Sequence, residues 1–149
     1  MEYQITKATL EDAEHIAQLF DAYRVFYQQE SDVRLAESFI FERLKNYESV
    51  IFVARSINGE WLGFTQLYPS FSSVSAHRIW ILNDLFVAET ARRLGVGKQL
   101  MNAAKHFANE TGAMGIALET AEDNHSAQAL YESLGYQQTG GVYHYFLTL

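Results

Sequence analysis

The run "RIWILNDLFV", Arg78 to Val87, constrains this chain more than any other stretch. Its apolar residues are nearly continuous. A strand of that kind is covered on both faces, which predicts the middle of a sheet rather than an edge. The loop that follows, "ARRLGVGKQL" (Ala91 to Leu100), sets Arg92, Arg93 and Lys98 around Gly95 and Gly97, with no acidic residue among them. Leu100, Met101, Ala104, Phe107 and Ala108 then recur at helical spacing from about Gly95 to Glu110, and Gly112 is placed to end the helix. A buried strand, a basic glycine turn and an amphipathic helix make an α/β unit.

Exposed N–H groups at a helix start already present about half a positive charge, and each exposed cation added there costs roughly 0.3–1 kcal/mol. Three cations in and before one turn therefore point to a bound anion, with Gly95 and Gly97 baring backbone N–H groups for close approach. A phosphate-bearing ligand is the simplest candidate. The alternative is an ordinary strand-to-helix turn with solvated arginines. Two familiar phosphate loops do not fit: G-x-G-x-x-G fails at Leu100, and G-x-x-x-x-G-K-[ST] fails at Arg92 and Gln99.

Tyr3, Ile5 and Lys7 read as an opening strand. Thr9 then serves as N-cap, with Asp12 three residues on, for a helix carrying Ile16, Leu19, Phe20, Tyr23 and Phe26-Tyr27. Ser31 or Asp32 caps a second helix through Leu35, Phe39, Ile40 and Leu44. "SVIFVARSI" and "EWLGFTQLYPS" are strands joined through Asn58-Gly59, a hairpin turn signal. A Ser-rich loop, Ser70 to Ser75, precedes the central strand. Beyond Gly112, "MGIALET" is a strand, "SAQALYESL" a short helix ended by Gly135, and "VYHYFLTL" (Val142 to Leu149) a last strand, with one more expected around Tyr136 to Thr139.

The 149 residues suit one domain with a real core, and no linker composition divides them. With 18 acidic and 11 basic residues the net charge is −7, which argues against nucleic acid as a partner. Setting Arg92, Arg93 and Lys98 aside leaves 8 basic against 18 acidic residues, a field that favours a cationic small molecule or serves solubility alone. No apolar run approaches the ~18 residues of a membrane span. The opening "MEYQITKATLEDAEH" is too polar for a signal peptide. Cysteine is absent, and His77, His125 and His144 make no metal pattern. A soluble cytoplasmic protein without a metal is the expectation.

The sequence strongly resembles the GNAT superfamily of acetyl-CoA-dependent N-acetyltransferases. The signature [QR]-x-x-G-x-[GA] is matched by Arg92-Arg93-Leu94-Gly95-Val96-Gly97, after a strand and at a helix start. A second signature is matched in "NHSAQALYESLGY" by Asn124, Ala127, Leu130, Tyr131, Gly135 and Tyr136. The resemblance implies an α/β fold: a mixed central sheet of about six or seven strands, flanked by about four helices, with a splayed central strand pair. It implies acetyl-CoA as cosubstrate. Backbone N–H groups from Arg93 to Lys98 would cradle the pyrophosphate, and Leu85, Phe86 and Val87 would pair with the pantetheine arm as an added strand does. Asn124 would lie beside the same arm; as an Asn near a helix start it could instead be a cap, unless Ser126 caps and leaves it free.

The resemblance places Tyr131 at the thioester sulfur, where a phenol of pKa ~10 can protonate a thiolate whose conjugate acid has pKa ~8.5. The acceptor must be a neutral amine, so a base would assist. Asp84 and Glu119 are the candidates, although Asp84 could anchor the Ser-rich loop and Glu119 could be a solvated strand-end acid. The polyamine-acetylating branch carries an adjacent acidic pair where this chain has Asn83-Asp84, which weakens that assignment. Tyr27, Glu30 and Asp32 in "YRVFYQQESD" are candidates for holding an amine by cation–π and charge contacts, against a plain core role for Tyr23, Phe26 and Tyr27. A small primary amine or polyamine is the expected acceptor; a peptide amine, or a binding module without turnover, are the alternatives. Dimers are common in the family, and the last strand could serve one.

Overall fold

A computed structural model describes all residues, 1–149. It contains two compact units, Met1–Leu118 and Glu119–Leu149. The first carries a five-stranded sheet in the order β1-β2-β3-β4-β5, made of β1 (Tyr3–Lys7), β2 (Val50–Ser56), β3 (Trp61–Ser72), β4 (His77–Val87) and β5 (Ile116–Ala117). Strands β1 to β4 pair antiparallel, and β5 joins β4 in parallel. Helices α1 (Ala13–Phe26), α2 (Val33–Lys45) and α3 (Val96–Glu110) complete this unit, and α4 (His125–Ser133) belongs to the second.

Alternation along the strands divides the core between two faces. Ile51, Val53 and Phe64 turn one way, into a cluster with Ile16, Ala17 and Phe20 of α1 and Ala36 and Ile40 of α2. Phe52 turns the other way, onto Phe107 of α3, which also meets Trp80. Val96, Leu100, Met101, Ala104 and Ala108 are the buried stripe of α3. Burying one such leucine contributes about 1.5–3 kcal/mol, so the stripe holds α3 against the sheet and fixes where its first turn points.

Local chemistry sets the element ends. The Asp12 carboxylate accepts from the Thr9 backbone N–H at 2.9 Å, and Asp32 Oδ1 accepts from Leu35 N, making Asp32 the cap of α2. Gly59, at φ +90°, turns the chain between β2 and β3. At the end of α3, Ala113 N donates to Ala108 O and Gly112 N to Asn109 O, with Gly112 left-handed at φ +74°. This is the paired closure expected of a glycine stop.

The strand count is lower than the six or seven expected. "MGIALET" forms a ladder only at Ile116 and Ala117, and residues 137–149 form neither helix nor strand. Both stretches have strand-like composition, but a strand exists only where a neighbour accepts its hydrogen bonds. The Ser-rich stretch departs in the other direction. Ser70 and Ser72 pair with Ile79 and His77, so only Ser73 to Ala76 make the turn.

Candidate active site

The geometry starts with β4. Its ladder to β3 runs from His77 to Val87, but its ladder to β5 covers only Trp80 and Ile81. From Leu82 onward β4 is paired on one side alone, so alternate backbone groups of the segment with Leu85, Phe86 and Val87 face away from any partner strand. This is the splay expected of the central pair. The register slips once: Gln66 pairs with Asp84 and Leu67 with Leu82, leaving Asn83 as the extra residue of a bulge. Bulges bend a strand and re-aim its side chains.

Strand β4 leads through a short turn, Glu89–Ala91, to the basic loop. Arg93 is held left-handed at φ +66° and Gly95 at φ +76°. The Tyr3 hydroxyl donates to Leu94 O at 3.2 Å and ties the loop to β1, while Arg92 Nε donates to Val87 O at 3.2 Å. Gln99 N is the first N–H of α3 with a helical acceptor, Gly95 O at 3.0 Å. The N–H groups of Val96, Gly97 and Lys98 precede that bond, as the first donors of any helix do. Helix-start donors, an N-terminal dipole and a loop that carries Arg92, Arg93 and Lys98 lie together, a combination that suits an anion.

Asp84 lies behind the β4 edge, 3% exposed. Gln66 Nε2 donates to its Oδ2 at 2.5 Å and Asn83 Nδ2 to its Oδ1 at 3.0 Å. Ser49 Oγ in turn donates to Gln66 Oε1 at 2.7 Å, and Thr65 Oγ1 to Asp84 O at 2.8 Å. Burial raises the Asp84 carboxyl above the ordinary carboxylate range, against the lowering effect of bonds from Gln66, Asn83 and Tyr23. Burial, then the Asp84 charge, pushes the Tyr68 phenol up to about 12, with Arg43 opposing. Asp84 is therefore tied into the sheet rather than into the Ser73–Ala76 turn.

Tyr23 connects this cluster to the acceptor candidates. Its hydroxyl donates to Asn83 O at 3.4 Å, and its ring meets Phe86 at 6.2 Å and Tyr27 at 5.0 Å. Tyr27 and Phe26 are about half exposed at the end of α1, so of the three only Tyr23 packs against the core cluster. The loop after them is anchored by buried Asp21, which accepts from Ser31 Oγ at 2.6 Å and Asp32 N at 2.7 Å. Glu30 and Asp32 are exposed there, and one Asp32 oxygen is engaged in capping α2.

In the second unit, Glu119 is exposed. Asn124 is the cap of α4: its Oδ1 accepts from Ala127 N at 3.3 Å and from Ser126 Oγ at 3.4 Å. The expectation that Ser126 caps in its place is overturned, because Ser126 donates to the cap. Asn124 keeps its amide Nδ2 for another partner. At the other end Tyr136 N donates to Tyr131 O and Gly135 N to Glu132 O, closing the helix around left-handed Gly135. The Tyr131 and Tyr136 rings sit 6.2 Å apart, the side-chain contact that accompanies such a closure. Burial raises the Tyr136 phenol, helped by Tyr131.

Gln66, Ser49, Tyr23 and Tyr68 were not singled out in the sequence as site residues. A signal existed for one of them: Gln66 is a polar side chain inside the apolar run "WLGFTQLY". Two hollows of the first unit, ≈ 400 Å³ at Met1–Gln4 with Ile57 and ≈ 470 Å³ at Ala13, Glu14, Arg34, Glu37, Ser38 and Phe41, include none of these residues.

A bulged, half-paired strand leading into a basic helix start narrows the chemistry to anion-bearing ligands, and comparison with known proteins gives the family. Residues 13–136 match the Acetyltransferase (GNAT) family. An uncharacterized N-acetyltransferase, YhfO, of Bacillus subtilis (strain 168) is 51% identical over 145 residues, 97% of either chain. A crystal structure of a probable acetyltransferase superposes with TM-score 0.92 at 44% identity, covering 98% of this chain and 97% of that one. An aminoglycoside N-acetyltransferase in complex with CoA shares the fold, with TM-score 0.82 at 21% identity over 99% and 96% of the two chains. The chain belongs to the GNAT acetyltransferase family and is an N-acetyltransferase of that type.

Proposed function

We propose that this enzyme moves the acetyl group of acetyl-CoA directly to a primary amine, a small amine or polyamine. The observation that carries the reading is the continuity of β4 with the basic loop. Unpaired backbone at Leu85, Phe86 and Val87 offers strand-like hydrogen bonds to a pantetheine arm, and the N–H groups of Arg93 to Lys98 then offer donors to a pyrophosphate. Arg92 and Lys98 add charge to the same corner. The bond between Arg92 and Val87 O occupies one acceptor that the arm would use, so ligand binding is expected to release it.

In the reaction the amine nitrogen attacks the thioester carbonyl carbon and the carbon–sulfur bond breaks. The leaving thiolate takes a proton from the Tyr131 hydroxyl, and the amine gives up a proton to a base. An amine of pKa near ~10.4 is only about one part in a thousand neutral at pH 7, so the base matters. Asp84 is one candidate, because burial raises its carboxyl towards useful basicity. Its low exposure requires relay through the bulge at Asn83 or through water. Glu119 is the other, exposed and open to direct contact. Tyr27, Glu30 and Asp32 would hold the protonated end of the acceptor, in keeping with the acidic charge of the chain. The neighbouring fold that carries CoA belongs to an aminoglycoside acetyltransferase, whose acceptor is an amine on a small molecule.

The direct test is thiol release from acetyl-CoA with a panel of small amines, polyamines and peptides. Turnover is expected on at least one small amine. Coenzyme binding with no turnover on any amine, and no difference between wild type and Tyr131→Phe, would leave a binding module in place of an enzyme.

A further inference from the structure

We propose that Gln66 is a positioning residue for the reaction: held by Ser49, its amide anchors Oδ2 of Asp84 and leaves Oδ1, at the bulge, to receive the proton of the acceptor amine. The proposal rests on the reading of Asp84 as the base. All three side chains share one face of the sheet. Ile51, Val53 and Phe64 turn towards α1 and α2, and Phe86 packs against the same cluster. Alternation along the chain puts Ser49, Gln66 and Asp84 on that side too. There α1 brings the Tyr23 hydroxyl to Asn83 O.

An amide has one accepting end and one donating end. Ser49 Oγ donates to Gln66 Oε1 at 2.7 Å and so occupies the accepting end. The amino end is thereby turned to Asp84, where Nε2 meets Oδ2. Turning the amide over would set two acceptors, Oε1 and Oδ2, against each other. Gln66 is wholly buried and Ser49 nearly so, so solvent does not compete for the amide.

The two carboxylate oxygens therefore differ. Oδ2 is taken up between β3 and β4, whereas Oδ1 meets Asn83 Nδ2, on the extra residue of the bulge, at 3.0 Å. When the amine gives its proton to Oδ1, an N–H bond breaks, an O–H bond forms and the carboxylate becomes a neutral acid. The Gln66 bond persists in both states but favours the charged one, because a bond to an ionised acceptor is roughly twice as strong. Burial raises the Asp84 carboxyl, and the Gln66 bond is foremost among those that oppose it. Tyr23 of α1 and Tyr68 of β3 also face the carboxylate, and Arg43 of α2 acts on Tyr68. Tyr68, pushed up to about 12 by burial and then by the Asp84 charge, stays neutral on the acid side.

The test reads the carboxyl itself. In enzyme isotopically labelled at the aspartate carboxyl carbons, the Asp84 resonance, identified by its loss in Asp84→Asn, is followed against pH. Gln66→Met keeps the length of the side chain and removes the amide, and its Asp84 titration is expected at higher pH. Ser49→Ala is expected to move the titration the same way by less, although Ser49 reaches Asp84 only through Gln66. Ser49→Thr keeps the hydroxyl and is expected to restore it. An unmoved titration in folded Gln66→Met overturns the proposal; should that variant fail to fold, an unmoved titration in Ser49→Ala does so. In kinetics, kcat/KM of Gln66→Met is expected to fall about fivefold on the acid side, the ~1 kcal/mol by which a charged acceptor outdoes a neutral one, with the loss shrinking as pH rises. An equal loss at every pH makes Gln66 purely structural and also overturns the proposal. An acid limb that survives in Asp84→Asn is a different failure: it removes Asp84 as the base, and the part of Gln66 in the reaction with it, whatever the carboxyl titration shows.

Discussion

Gln66 and Asp84 meet inside the sheet, 18 residues apart in the chain, with Gln66 Nε2 2.5 Å from Asp84 Oδ2. Neither is more than 3% exposed. Register puts them there: they are direct partners on β3 and β4, at the point where the bulge inserts Asn83. Ser49 holds the other end of the Gln66 amide, so the carboxylate is fixed from two strands. A buried ionisable group on the strand that borders the proposed coenzyme corner is a candidate for chemistry as well as for structure.

The two roles of Asp84 separate by pH. Its folded-state value lies above the ordinary carboxyl range, so protonation favours the folded state. Its contribution is full below the unfolded value of ~3.9 and is lost as pH rises from there through the folded value. Urea unfolding of Asp84→Asn should therefore show stability rising relative to wild type as pH climbs through that window, and a flat difference above it. Activity is a separate readout. If Asp84 is the base, kcat/KM falls on the order of 10²-fold or more and its acid limb is lost. If only Glu119→Gln has that effect, Asp84 is structural.

Gly63 is where β3, β4 and the first turn of α3 touch. A Cβ there would lie 2.7 Å from Phe86 O, 3.2 Å from Val87 Cα and 3.4 Å from Val96 Cγ1. The nearest two are backbone atoms and cannot swing aside. Gly63→Ala is expected to destabilise by about 1–3 kcal/mol and to weaken acetyl-CoA binding, because it displaces β4 and the first turn of α3 together. Gly115→Ala, where a Cβ meets nothing within 4 Å, is the control and should stay within about 0.5 kcal/mol of wild type. Equal effects at the two positions would refute the steric cause.

Much of this was legible in the chain because it is local. Thr9 with Asp12, Asn58-Gly59, Gly112 and Gly135 act within a few residues, and each punctuates the structure where its chemistry requires. The loop from Arg92 to Lys98 was legible for the same reason. The bulge at Asn83 was not, since an extra residue is defined only against the partner strand. Nor was the chain of bonds from Ser49, just before β2, through Gln66 of β3 to Asp84 of β4. The last strand shows the reverse limit: Val142 to Leu149 has the right composition, yet strand structure belongs to a pair and not to a segment.

Arg93 carries both strain and charge. It is a non-glycine residue at φ +66°, a conformation that costs roughly 1–2 kcal/mol. Arg93→Gly removes most of that strain while adding up to about 1 kcal/mol of backbone entropy cost, so the melting temperature should be unchanged or slightly higher. CoA affinity should nonetheless fall about tenfold, the equivalent of a single charge-assisted hydrogen bond near 1.4 kcal/mol. The affinity of the variant should also depend less on salt. Isothermal titration calorimetry at two ionic strengths reads both. An unchanged affinity would show that the guanidinium does not meet the ligand.

Tyr131 offers the sharpest separation of chemistry from packing. Its carbonyl and ring both serve the closure of α4, through Tyr136 N and the Tyr136 ring. Tyr131→Phe keeps both and removes only the hydroxyl, so the closure of α4 should survive the change. If that hydroxyl protonates the departing thiolate, kcat falls on the order of 10²–10⁴-fold, while the KM for acetyl-CoA stays near wild type. Acetyl donors with a more acidic thiol need less help in leaving, and with them the deficit should shrink. Tyr131→Ala loses the ring contact as well and should cost stability in addition to rate. A Tyr131→Phe enzyme equally slow with every donor would move the role of the hydroxyl from proton transfer to positioning.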